Sequence, residues 1–111
     1  MDTRTKIVDA AKVEELTRDR PVDWFTGHFD PLLAEHAALL HHAASDGHTL
    51  VVEITNPARP LLSLRARAEL VAALADVNYV VMSDREAPAP DMEITRRFVQ
   101  HVRERSKGAK P

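Results

Sequence analysis

The 111-residue chain contains no cysteine. That excludes disulfides, thiol catalysis and thiolate metal sites, and leaves the redox compartment open. No apolar run approaches the ~18 residues of a membrane-spanning helix, and the opening Met-Asp-Thr-Arg-Thr-Lys lacks the hydrophobic core of a signal peptide. A cytoplasmic location and no membrane partner are therefore expected. The net charge of −2 supplies no overall field for nucleic acid or an acidic lipid surface, so partners must be argued from sites. Neither internal repeats nor low-complexity segments are present. The composition, 44% apolar and 29% charged, is that of a soluble globular domain. At this length a single domain over residues 1–105, followed by a polar tail over 106–111, is expected to bury roughly two thirds of its unfolded surface.

Apolar spacing divides the chain into alternating elements. Ala10, Val13 and Leu16 suit a short helix over Asp9 to Arg18, with Asp9 as N-cap. Val22 to Thr26 reads as a strand ending at Gly27. Asp30-Pro31 has the form of a helix start, Asp at N-cap and Pro at the first helical position, for a helix running to about Ser45 with Leu32, Leu33, His36, Leu39, Leu40 and Ala43 inward. The run Thr49 to Ile54 is nearly continuous and apolar, the mark of a parallel strand covered on both faces, and should be the central one. A breaker-rich loop, Asn56 to Pro60, precedes a helix from Ser63 to Ala75, with Leu64, Ala68, Val71, Ala72 and Leu74 inward. Val77 to Met82 is a third strand, and Asp91 to Arg105 a last helix with Ile94, Phe98 and Val102 on one stripe. This order predicts an α/β fold, a three-stranded parallel sheet with right-handed crossovers and helices on both faces. Ligands of such sheets sit at the carboxyl ends of the strands, where Gly27-His28 falls.

The stretch Gly27-His28-Phe29-Asp30-Pro31-Leu32-Leu33-Ala34-Glu35-His36 resembles the G-x-F-D-x-x-H-x-G-H signature of the cytidylyltransferase-like nucleotidyltransferases. Arg59-Pro60 and the run Arg67 to Val81 resemble the second block of the sugar-phosphate members, above all the adenylyltransferase domain of ADP-heptose synthesis, which makes a lipopolysaccharide precursor. The likeness spans about Lys6 to Met82. It implies a three-layer Rossmann-like nucleotidyltransferase fold, Mg2+ accompanying a nucleoside triphosphate, and a nucleotide site at Thr26, Gly27, His28, Phe29, Asp30, His36 and Arg67, with His36 the catalytic candidate. In that family backbone N–H groups and the helix start hold the phosphates, and positioned donors supply most of the rate.

Two departures weaken that expectation. Leu33 stands where the first histidine of the signature belongs, and Glu35 where the glycine belongs. A leucine donates no hydrogen bond, and a carboxylate repels a triphosphate. The basic and serine/threonine-rich segment that relatives place after the third strand is not found beyond Met82. Family sheets run 3-2-1-4-5, so a reduced sheet would leave the first strand at an edge, a place that suits the charge of Asp23. That edge, beside Trp24, would be covered by the last helix or by a second copy in a homodimer. Two functions follow from these residues. One is a degenerate pseudoenzyme that retains a phosphate or nucleotide pocket. The other is an active adenylyl- or cytidylyltransferase acting on a sugar or polyol phosphate.

Each candidate also has a plainer reading. His36 is either a phosphate donor or a core histidine on an apolar stripe. His28 either projects into the pocket or plugs it, and Arg67 is either a ligand contact or a solvated helix charge. Asp30 reads as the N-cap. The spacing of His36, His41 and His42 does not bring all three to one helix face, so no metal site is expected. The basic residues from Arg96 to Lys110 read as a solvated helix face rather than a nucleic-acid patch.

Overall fold

The structure, a computed structural model, describes residues 2–44 and 47–87. Three strands, β1 (Val22–Gly27), β2 (Thr49–Asn56) and β3 (Tyr79–Glu86), lie parallel in the order β1-β2-β3. The apolar run therefore occupies the middle of the sheet, where Leu50, Val51, Val52 and Ile54 are all buried. Burying each such side chain contributes roughly 1.5–3 kcal/mol. In register, Val22 lies opposite Thr49 and Gly27 opposite Ile54.

Helices cover both faces. α1 (Ala10–Thr17) lays Val13 on Val51 and Val81, with Val8, Val22 and Tyr79 around them. Its N-cap is Asp9, whose carboxylate accepts the Lys12 N–H at 2.7 Å. The buried pair on α1 is Val13 and Thr17, whereas Ala10 and Leu16 are exposed. Thr17 is accommodated because its hydroxyl donates to the Val13 carbonyl at 2.7 Å. The opposite face of the sheet carries the larger core, in which Leu40 of α2 (Ala34–Ala43) and Ala68, Val71 and Ala72 of α3 (Leu64–Ala72) pack on Leu50, Val52, Ile54 and Val80. Ser63 caps α3 as expected, accepting the Ala66 N–H at 3.1 Å.

The start of α2 departs from the sequence reading. The helix begins at Ala34, not at Pro31, and its N-cap is Leu33. Phe29 adopts a left-handed backbone conformation, φ 49°, so the chain turns before it coils; the Asp30-Pro31 peptide is cis. Asp30 is not the N-cap, because its carboxylate is bonded to another loop. β3 also extends past Met82, since the Asn56 side-chain amide donates to the Ser83 and Asp84 carbonyls at 3.3 and 3.2 Å and carries the pairing through an irregularity opposite Asn56. Among the described residues β1 lies at the sheet edge, with Asp23 bonded to His48 at 3.2 Å and Trp24 48% exposed. The expected helix over 91–105 and the tail lie outside the described residues.

Candidate functional site

The carboxyl ends of the strands are built from one turn and the loop facing it. Gly27 closes β1, and the ring of Phe29 folds back over it: a Cβ on Gly27 would stand 2.5 Å from the ring. The glycine is thus required by a neighbour within its own turn. The same ring is fully buried between Phe25 and His36, at centroid distances of 6.0 and 5.5 Å.

Asp30, only 5% exposed, accepts the backbone N–H of Leu61 at 2.6 Å and of Leu62 at 2.8 Å, one on each carboxylate oxygen. Charge-assisted bonds of this length are the strong kind. The turn after β1 is thereby fastened to the loop that leads into α3.

Arg67 completes the fastening from the other side. Its guanidinium donates from Nε to the Leu62 carbonyl at 3.1 Å, from one terminal nitrogen to the carbonyls of His28 and Thr55 at 3.1 and 2.8 Å, and from the other to the Asn56 side-chain oxygen at 2.6 Å. The residue has no solvent exposure, which overturns its reading as a solvated helix charge. It joins α3, the end of β2 and the β1 turn through four bonds that only a planar fork of donors can make.

His36, also without solvent exposure, lies in the first turn of α2, and its Nδ1 accepts the Leu33 N–H at 2.9 Å. That bond is the half of a capping box in which the N3 side chain accepts the N-cap N–H; a leucine side chain has no acceptor for the other half. His28, 5% exposed, reaches away from α2, and its Nε2 bonds the carbonyl of Ala87, the residue after β3. Thr26 stands apart on the face bearing Glu53, donating to that carboxylate at 3.3 Å; Trp24 donates to it at 3.4 Å and Arg85 at 3.5 Å.

Of the seven residues singled out from the sequence, Gly27, His28, Phe29, Asp30, His36 and Arg67 converge on this end of the fold. Sequence reasoning missed Thr55, Asn56 and the backbone of Leu61, Leu62 and Ala87. Backbone partners leave no signal in a residue pattern, although Asn56 opens the breaker-rich loop and invited a closer look. Among the described residues no group of three His, Asp or Glu gathers that could hold a metal ion. His41 bonds Asp76 at 3.0 Å instead.

The Asp30 and Arg67 side chains are engaged by the chain itself. Both Asp30 oxygens accept backbone N–H groups, the Arg67 fork is directed at chain oxygens, and Glu35 brings a carboxylate into the first turn of α2.

Three parallel strands with helices on both faces and a glycine turn at the end of the first define a Rossmann-like α/β domain. A family model described as cytidylyltransferase-like matches residues 24–105. The chain belongs to the cytidylyltransferase-like family. It is 33% identical over 94 residues to the bifunctional protein HldE of Syntrophotalea carbinolica, an alignment covering 77% of this chain and 19% of that protein. Against HldE of Helicobacter pylori it is 32% identical over 95 residues, 78% of this chain and 21% of the relative. The HldE of Koribacter versatilis is 31% identical over 107 residues, with 84% and 22% covered. The chain thus spans about a fifth of the length of these relatives. No helix among the described residues is long and apolar enough to cross a membrane.

Proposed function

We propose that this chain is a degenerate nucleotidyltransferase-family domain, one that retains a weakened phosphate or nucleotide pocket at the strand ends and turns over slowly or not at all. The observation that carries this reading is the start of α2: Leu33 is its N-cap and Glu35 lies in its first turn. A helix start attracts anions through its unsatisfied N–H groups and the positive end of its dipole. Here the nearest side chains answer with a leucine that donates nothing and a carboxylate that repels. Loss of a single positioned donor typically costs about 100- to 1000-fold in rate.

His36 is the histidine of the signature that remains, in the first turn of α2. This favours a second reading, an active adenylyl- or cytidylyltransferase that uses Mg2+ and a sugar or polyol phosphate, in the chemistry of lipopolysaccharide precursor synthesis. Arg67 serves in both readings by positioning the turn. We place the protein in the cytoplasm, and as a homodimer paired through the β1 edge, where Trp24 is exposed.

Calorimetric titration with ATP and CTP plus Mg2+, alongside pyrophosphate release with heptose 1-phosphate and glycerol 3-phosphate, separates these readings. Weak binding without turnover is expected. Turnover at rates ordinary for the family would sink the pseudoenzyme, and no binding at millimolar nucleotide would remove the pocket. A clean monomer in sedimentation would exclude the dimer.

A further inference from the structure

Helix α1 covers part of the sheet face it packs on. Val22 and Val51 face α1, and by the alternation of a strand so do Trp24, Thr26 and Glu53. An eight-residue helix is roughly 12 Å long, and α1 lies closest to β3. Trp24 of β1 is therefore 48% exposed, although it stands level with Val51, which is fully buried.

Beside the indole is an acceptor with a vacant oxygen. Trp24, Thr26 and Arg85 all donate to Oε1 of Glu53, and Oε2 makes no hydrogen bond among the described residues. The Glu53 side chain keeps 17% of its surface exposed. Asp84 and Glu86, both exposed, add negative charge toward the carboxyl end of β3.

The chain beyond Ala87 has the reach and the chemistry for this face. The Ala87 N–H donates to the Asn56 carbonyl at 3.1 Å, which fixes the departure point at the carboxyl end of the sheet. From β3 to β1 is two strand spacings, roughly 10 Å, a distance that residues 88–90 cover when extended. Residues 88–111 carry six Lys and Arg against three Asp and Glu, whereas residues 1–87 carry nine against fourteen. At helical spacing Ile94, Phe98 and Val102 share one stripe, with Arg97 beside it and Arg96 on the opposite side. The family model extends to residue 105, so this segment belongs to the matched domain.

We propose that the open part of the α1 face is the docking surface for residues 91–105 of the same chain, with the stripe of Ile94, Phe98 and Val102 on the Trp24 indole and Arg97 on Oε2 of Glu53. A tethered segment is present at its site at an effective concentration on the order of millimolar, which a second copy does not match. Docking uses the face of β1 and leaves its backbone edge, a separate surface, to the homodimer. The inference does not depend on nucleotide binding.

Trp24 is the sole tryptophan, so its fluorescence reads this face directly. Acrylamide quenching of the full chain is compared for wild type, Phe98→Asp, Arg97→Ala and Arg96→Ala over a range of protein concentrations, with circular dichroism checking the fold. Wild type is expected to be blue-shifted and protected at every concentration, and Phe98→Asp to lose both properties. Arg97→Ala is expected to lose part of the protection and Arg96→Ala none. Equal quenching of wild type and Phe98→Asp overturns the docking. Protection that emerges only as protein concentration rises gives the face to a second copy and likewise overturns it. Equal effects of the two arginine variants overturn the pairing with Glu53. Should Phe98→Asp not fold, nuclear Overhauser contacts between the Trp24 indole and the Phe98 ring of wild type decide, and their absence overturns the proposal.

Discussion

Phe29 lies over Gly27 so closely that a methyl group on the glycine would stand 2.5 Å from Cε2 and 2.7 Å from Cζ of the ring. The ring has nowhere to retreat, since it is fully buried with Phe25 on one side and His36 on the other. The signature glycine and the signature phenylalanine are a single packing unit, whatever else the turn does.

Gly27→Ala is accordingly expected to destabilise the domain by about 1–3 kcal/mol, the usual cost of forcing a methylene-sized group into a filled core. Urea denaturation measures it. Adding Phe29→Leu to Gly27→Ala should cost less than the sum of the single changes, because the smaller side chain vacates the space the methyl needs. Simple additivity would mean that the ring is not the obstacle.

Asp30→Ala removes the acceptor of two buried backbone donors, Leu61 N–H and Leu62 N–H. Bonds to a charged acceptor are worth about 1.5–3 kcal/mol each, and the stranded donors add to the loss. A destabilisation of at least about 3 kcal/mol is expected, together with faster hydrogen exchange at the Leu61 and Leu62 amides. An N-cap role would instead have produced a loss near 1 kcal/mol, confined to the start of α2.

Arg67→Lys keeps the charge and loses the fork. A lysine ammonium has three donors on a single atom, and it cannot serve Leu62, His28, Thr55 and Asn56 together. A loss of about 2–4 kcal/mol is expected by denaturation, because buried oxygens are left without donors. Wild-type stability in this variant would show that charge alone, not fork geometry, holds the turn.

Thr55→Val should be neutral or slightly stabilising in the absence of ligand. Among the described residues its hydroxyl makes no hydrogen bond, so the substitution removes a desolvated polar atom without breaking a contact. A melting temperature lowered by several degrees would show that the hydroxyl has a stabilising partner in the free protein, such as an ordered water.

The architecture was legible in the chain because its signals are local. The alternation of Val22 to Thr26, the apolar run from Thr49 to Ile54, and the caps at Asp9 and Ser63 each depend on residues within a few positions of one another, and the elements they imply are present. The start of α2 was not legible. Asp30-Pro31 carries a strong local capping pattern, but it is outweighed by two charge-assisted bonds to residues 31 and 32 positions away. A cap contributes about 1 kcal/mol and the pair of bonds more, so the tertiary contact wins.

By itself, then, the sequence determined the succession of elements, the parallel sheet with β2 at its centre, and the family, since period and motif act over short range. Only the tertiary structure decided what the motif residues do. Asp30 binds a loop, Arg67 is buried among carbonyl and amide oxygens, and His28 closes on Ala87 across 59 positions of chain. A buried polar group takes whichever partner the fold brings within about 3 Å, and that neighbour is settled by packing rather than by spacing along the chain.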